Sequence, residues 1–227
     1  MRTGTKRICL VGSTGLVGRT VIEKAVSRSD ARIVGVTRRE VKLPYGARME
    51  MLLAPTSGWP DAIAAANASV LVCALGTTIR QVEGNKEAFR AVDHDLVVTC
   101  AKAAKKAGIE HMIVVSSVDA DRSAKSFYLQ VKGETEEALA KVRFKRLDIL
   151  RPGLLIGLRT ESRPLERLGM WLSPLLSLFL HGKYRKYRSI RASTVADAIF
   201  ALCRARAGGR FVHDHDAMHY TIRKAGD

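Results

Sequence analysis

The chain has few cysteines, and none are arranged to hold a metal or staple a fold. Cys9, Cys73, Cys100 and Cys203 are scattered through 227 residues with no C-x-x-C pair. This excludes a disulfide framework and a cysteine-based zinc site, and it points to buried reduced thiols in a cytoplasmic protein. Long apolar runs are also missing. The longest, Met170 to Leu180, is broken by Ser173, Pro174 and Ser177 and is too short to cross a bilayer, so no transmembrane segment is expected. The start is basic and then apolar, like a secretion signal, but Gly12, Gly15 and Gly18 interrupt any apolar core there, and none is expected. No low-complexity tract, internal repeat or composition break divides the chain, so residues 1–227 are read as one domain able to bury a sizeable core.

Carboxylates are in short supply. There are 22 Asp and Glu against 38 Lys and Arg, a formal net charge of +16. Such a field draws in anionic ligands, nucleic acid or an acidic membrane surface, weakly and in a salt-dependent way. No nucleic-acid recognition motif accompanies the dispersed bases, so no nucleic-acid partner is expected. Peripheral membrane contact stays open.

What the chain does have is a glycine turn. Ile8 to Val11 is a short apolar run of the kind buried on both faces of a parallel sheet, and Gly12, Gly15 and Gly18 follow it. A glycine turn between a strand and a helix lets backbone approach a phosphate, and the helix opening near Gly15 aims its free N–H groups and dipole at that anion. Val17, Val21, Ile22, Ala25 and Val26 give the helix an apolar face, and Ala31 to Thr37 completes a βαβ unit. At the end of that second strand an NAD site carries an acidic residue for the ribose 2′-hydroxyl. Here the chain reads Val36-Thr37-Arg38-Arg39. Two guanidiniums with no carboxylate before them suit a 2′-phosphate, so the cofactor is read as NADP(H) with Arg38 its leading contact. The plainer alternative is a pair of solvated arginines after a strand.

Further along, Ala47 to Leu53 reads as a third strand, Gly58 to Asn67 as a short helix and Ser69 to Ala74 as a fourth strand. The last runs into Leu75-Gly76-Thr77-Thr78, a loop at a strand's carboxyl end, where open α/β sheets place ligands. Leu75 and Gly76 are candidates to lie against the cofactor, though the loop also reads as an ordinary connection. Asn85 to Ala107 is a long helix with Asn85 as N-cap and Phe89, Val92, Leu96, Cys100 and Ala103 as its inward stripe. A fifth strand, Glu110 to Val115, delivers Ser116 and Ser117. A helix from about Lys125 to Lys141 and a strand from Phe144 to Leu150 follow.

That helix carries Tyr128-Leu129-Gln130-Val131-Lys132. A spacing of four sets phenol and ammonium on one face, where the cation favours the phenolate and draws its pKa toward the range useful for proton exchange with a carbonyl or alcohol. Lys132 can also reach a cofactor ribose, and Ser117 or its neighbour can hold the substrate oxygen. Taken alone, such a pair is common on amphipathic helices.

Together these motifs resemble the atypical branch of the short-chain dehydrogenase/reductases. Ala74-Leu-Gly-Thr-Thr78, Tyr128-Leu-Gln-Val-Lys-Gly133, Leu150-Arg-Pro-Gly153 and Glu161-Ser-Arg-Pro164 are similar to the oxidoreductase family that includes the human Tat-interacting protein. The resemblance implies a Rossmann-like fold binding NADPH, with Ser117 (or Ser116), Tyr128 and Lys132 at the catalytic positions. It also sets Pro152, Gly153 and Leu154 near the nicotinamide.

Beyond Gly153, the apolar stretch from Pro164 to Leu180 reads as core, lid, dimer contact or membrane-surface helix. Lys183 to Arg191 alternates basic and aromatic residues, which suits phosphate contacts with stacking or an exposed edge strand. Ser193 to Ala205 reads as a helix capped by Ser193 or Thr194, and Arg210 to Val212 as a last strand. His213, His215 and His219 follow on that strand. No second set of groups supports a metal site there, and none is assigned.

The expectation is therefore an α/β protein with a doubly wound, mostly parallel sheet and a small C-terminal substrate-side appendage over residues 153–192. It is read as a cytoplasmic NADP(H)-dependent oxidoreductase acting on a carbonyl or alcohol of a small, hydrophobic substrate, as monomer or homodimer. Its catalytic residues are Ser117, Tyr128 and Lys132. Its cofactor contacts are Gly12, Ser13, Thr14, Gly15, Leu16, Val17, Gly18, Arg38, Leu75, Gly76, Lys132, Pro152, Gly153 and Leu154. The rival is a regulatory protein that binds NADPH without turnover.

Overall fold

A computed structural model describes residues 4–157 and 182–226. The apolar stretch from 164 to 180 and most of the variable segment lie outside them. Seven strands form one sheet: β1 (Lys6–Val11), β2 (Ala31–Thr37), β3 (Glu50–Leu53), β4 (Val70–Cys73), β5 (His111–Val115), β6 (Arg146–Leu150) and, last in the chain, β9 (Gly209–His213). Their order is β3-β2-β1-β4-β5-β6-β9 and every pairing is parallel. The expected doubly wound Rossmann-like fold is the fold observed. Alternation along β1 explains both layers. Ile8 and Leu10 pack with Val21 and Ile22 of α1 (Leu16–Ala25) and with Ile199 of α6 (Ala192–Cys203). Cys9 and Val11 face the other way, onto Ile63 of α2 (Trp59–Ala65) and Val97 and Cys100 of α4 (Val97–Lys106). Strands buried on both faces have no polar side to show, which is why they read as continuous apolar runs.

The chain reaches β3 at the far edge and returns to lay β4 beside β1, so the strand order reverses there. The crevice between the carboxyl ends of β1 and β4 is where this fold class takes its ligands. A second, two-stranded parallel sheet joins β7 (Leu155–Ile156) to β8 (Ile190–Arg191). No helix among the described residues is long and apolar enough to cross a membrane.

Several expected elements differ. The long helix is α3 (Lys86–Arg90), a π-helical run Ala91–Leu96 and then α4. Its buried side chains are Phe89, Asp93, Val97, Cys100, Ala101 and Ala104, with Leu96 and Ala103 partly buried against the same core, so Val92 alone does not belong to the inward stripe. The basic and aromatic stretch is a 3-10 turn, Gly182–Tyr187, followed by the two residues of β8. The helix α6 opens one residue early and no side chain caps it, so Ser193 and Thr194 lie in its first turn. Past β9 the chain forms α7 (His215–Gly226) in place of a continuing strand. Asp214 starts it by accepting the Ala217 N–H at 2.9 Å.

This helix separates the histidines. His215 and His219 stack one turn apart, ring centroids 4.7 Å apart, while His213 turns into the protein. There Asp148 of β6, with no exposed surface, accepts hydrogen bonds from His111 (2.7 Å), His213 (2.8 Å) and both Nε and a terminal nitrogen of Arg146 (2.6 and 2.7 Å). Burial pushes the Asp148 carboxyl up, but the hydrogen bonds from His111, His213 and Arg146 outweigh it and hold the group well below the usual carboxylate range. The stabilisation is therefore present above the ordinary carboxylate pKa of about 3.9 and is lost as pH falls below it toward the folded-state value. Asp148→Ala should cost about 3–5 kcal/mol in urea unfolding at neutral pH, because it leaves a buried guanidinium uncompensated. The difference from wild type should shrink as the pH is taken below about 3.9.

Candidate functional site

The turn after β1 shows which glycines serve the protein itself. Gly12 has φ +88°, and a Cβ there would lie 2.4 Å from the Ala74 carbonyl carbon at the end of β4. A Cβ at Gly18 would lie 2.1 Å from the Gly12 carbonyl oxygen, so the first turn of α1 rests directly on the loop. Gly15 differs. It is the N-cap residue of α1 with an ordinary φ of −75°, and a Cβ there would come no nearer than 3.5 Å to any atom. No described atom crowds that position, so a ligand could approach the backbone closely there. No side chain caps α1 and no acidic residue sits in its first turn. The Ser13 hydroxyl is buried without a hydrogen-bond partner among the described residues. Free N–H groups, an unpaired buried hydroxyl and absent carboxylates together fit a pyrophosphate.

The loop opens into a cleft of about 490 Å³ lined by Gly12, Ser13, Thr14, Arg38, Arg39, Thr56, Ser57 and Leu75. Its apolar wall comes from Trp59, Val92 and Leu96. Val92, the residue missing from the helix's inward stripe, thus faces the cleft, and Leu96 lines it while also packing on the core. Thr37 shapes the exit from β2, its hydroxyl donating to the Arg39 carbonyl at 2.9 Å. Arg38 and Arg39 are exposed, and no described carboxylate pairs with either. Two expected contacts have side chains committed elsewhere. Val17 is in the core, and Leu16 lies where a Cβ on Gly157 would meet it at 2.7 Å. Val17 can offer only backbone, while Leu16 is half-buried.

Tyr128 and Lys132 lie on α5 (Phe127–Lys141), outside the lining of that cleft. Gly76 stands between the two halves, a Cβ there lying 3.9 Å from Lys132 Nζ. Tyr128 is half-buried with its ring centroid 5.7 Å from that of Phe89. Lys132 is buried, its Nζ 2.7 Å from Asp93 Oδ1. Burial pushes the ammonium down, but Asp93 and Tyr128 reverse that and raise it above the ordinary lysine value. Asp93 was not among the expected site residues. Its position inside an apolar periodicity was the one available signal.

The serine pair is separated by its partners. Ser116 donates to Glu136 Oε1 at 2.6 Å, and Glu136 also holds Arg151 through contacts of 3.0 and 2.6 Å. Ser117 is left half-buried in the loop after β5. That loop is held by Pro152, whose carbonyl accepts the Val118 N–H at 3.0 Å. Asp119, at φ +57°, also takes Lys186 and Tyr187 of the 3-10 turn at 2.5 Å each. Gly153 is accounted for by packing, since a Cβ there would lie 2.7 Å from the Arg188 carbonyl oxygen, while Leu154 is 55% exposed.

The model of the HIM1 family matches residues 59–184, which include Asp93, the serine pair, Tyr128 and Lys132. The chain belongs to the HIM1 family. Among its relatives, the protein fmp52, mitochondrial, of Emericella nidulans is 34% identical over 74% of this chain and 75% of its own length. FMP52-1 of Scheffersomyces stipitis is 36% identical over 76% of each. These names overturn the cytoplasmic expectation, because every relative that carries a location in its name here is called mitochondrial. The fold has solved counterparts. The Bordetella bronchiseptica enzyme WbmH, in complex with NAD+, superposes with a TM-score of 0.70 at 13% identity over 93% of this chain and 76% of that one. A putative NAD-dependent epimerase/dehydratase from Bacillus halodurans gives 0.69 at 19% identity over 96% and 99%. At these identities the likeness concerns the fold, which is that of the short-chain dehydrogenase/reductases the motifs resembled.

The glycine analysis separates two substitutions. Gly18→Ala should lower the melting temperature, with overpacking of about 1–3 kcal/mol outweighing the better helix propensity of alanine. Gly15→Ala should leave the melting temperature of the free protein within a degree or two of wild type, on the order expected for an exposed site, while weakening dinucleotide binding measured by calorimetry.

Proposed function

We propose that this protein is an NADP(H)-dependent oxidoreductase acting on a carbonyl or alcohol of a small molecule. The observation that carries the reading is the Lys132 ammonium, buried and held charged by Asp93, one helical turn from the Tyr128 phenol. Gly12 to Gly15 and the Ser13 hydroxyl would hold the pyrophosphate, Leu75 and Gly76 would flank it, and Arg38 would bind the 2′-phosphate. The nicotinamide would supply the hydride acceptor or donor. Tyr128 exchanges the proton at the substrate oxygen through its hydroxyl, and Lys132 stabilises the phenolate left behind. Ser117 holds the substrate oxygen, because Ser116 is already committed to Glu136. NADP over NAD is favoured by the two guanidiniums at the end of β2, which no described carboxylate pairs, and by the lack of a carboxylate before them in the strand.

Tyr128→Phe should lower NADPH oxidation across a panel of aldehydes, ketones and quinones by about 10²- to 10⁴-fold while leaving NADPH affinity nearly unchanged. Saturable NADPH binding by the wild type without oxidation of any panel member would favour the non-enzymatic reading. Arg38→Ala should weaken NADPH by about ten- to a hundredfold, the loss of a charge-assisted hydrogen bond, and barely change NADH. Equal losses for both would count against a 2′-phosphate contact.

A further inference from the structure

The helical run from Lys86 to Lys106 meets α5 through two pairs at matching intervals. Phe89 and Asp93 are four residues apart on one side, Tyr128 and Lys132 four apart on the other. Phe89 meets the Tyr128 ring, and Asp93 meets the Lys132 ammonium. Asp93 has no exposed surface and joins three elements. Its Oδ2 accepts the Thr77 N–H of the loop after β4 at 2.7 Å, its Oδ1 faces Lys132, and its carbonyl accepts the Thr135 hydroxyl of α5 at 3.0 Å. All of this occurs inside the π-helical run, a feature that concentrates at functional sites. A buried ion pair adds little to stability compared with apolar side chains of the same volume. Packing alone therefore does not account for a carboxylate here.

We propose that Asp93 is a positioning residue which keeps Lys132 charged and fixed beside Tyr128, and that the π-helical run exists to turn its carboxylate inward. The inference rests on the reading of Lys132 given above. The groups facing the ammonium are Asp93 from the π-helical run, Tyr128 and Glu136 from its own helix, and Cys73 from β4. Asp93 is the carboxylate in contact with it, and Cys73 is a buried thiol pushed up to about 11, so it is neutral. Once the Asp93 charge is gone, burial acts on Lys132 largely unopposed and favours the neutral amine.

The test is Asp93→Asn, which keeps an acceptor for the Thr77 N–H and removes the charge. Lysine-labelled protein without coenzyme is titrated by NMR, with the Lys132 signal assigned by its loss in Lys132→Arg. In wild type the signal should show no transition below about pH 10.4. In Asp93→Asn the transition should fall by about one to three units. An unmoved transition overturns the proposal. Should Asp93→Asn not fold, the double variant Asp93→Asn/Lys132→Met decides. Recovery of a melting transition near wild type supports charge compensation, and a double variant as unstable as the single one overturns it. NADPH affinity of Asp93→Asn should match wild type at low pH and fall as pH rises through the shifted transition. Since the titration needs no coenzyme, a wild type that binds no NADPH would sink the proposed function and leave this result standing.

Discussion

Two hydrogen atoms decide the shape of the site. One on Gly12 lies against the end of β4, and one on Gly18 lies against the Gly12 carbonyl, where a Cβ would fall 2.4 and 2.1 Å from those atoms. Only with both in place can α1 sit directly on the turn, its N-terminus opening into the crevice where strand order reverses. The buried Ser13 hydroxyl and the uncapped first turn of α1 follow from that closeness. The fold uses two unsubstituted positions for its own packing, while the third, Gly15, is left uncrowded.

The sheet was legible in the residues because parallel strands covered on both faces leave an unbroken apolar record. Ser69–Ala74 and Ile8–Val11 read as strands on composition alone and are observed as Val70–Cys73 and Lys6–Val11, and Ala31–Thr37 matched to the residue. The helices were legible only where apolar spacing and cap agreed. Asn85 accepts the Ala88 N–H as a cap should, yet Val92 in the stripe beyond it faces the cleft. Val92 repeats at helical spacing whether it faces core or cleft, and the π-helical turn it lies in has no mark in hydrophobicity. The terminal helix was hidden by its polarity, although Asp214 three residues before Ala217 is a capping signal that outranks alternation of histidines.

Within the site, residue types were easier to find than their partners. Tyr128 and Lys132 were found by their spacing, since both are on one helix. Asp93 comes from another element, and a carboxylate in an apolar stripe reads as a solvated face until the tertiary structure pairs it. The choice between Ser116 and Ser117 likewise depended on Glu136, twenty residues away from Ser116. Gly153 shows the opposite limit, a residue recognised by motif whose need for no side chain comes from Arg188 backbone.

The four thiols carry a consequence of another kind. All are buried and unpaired, and burial pushes Cys9 and Cys203 up to about 12. A sulfur kept protonated and out of reach neither attacks a disulfide nor meets peroxide. Sparse cysteine was read as a sign of one reducing compartment, but sulfurs held this way are indifferent to the oxidant poise around them. The interior thiols therefore carry no information about which compartment the chain works in.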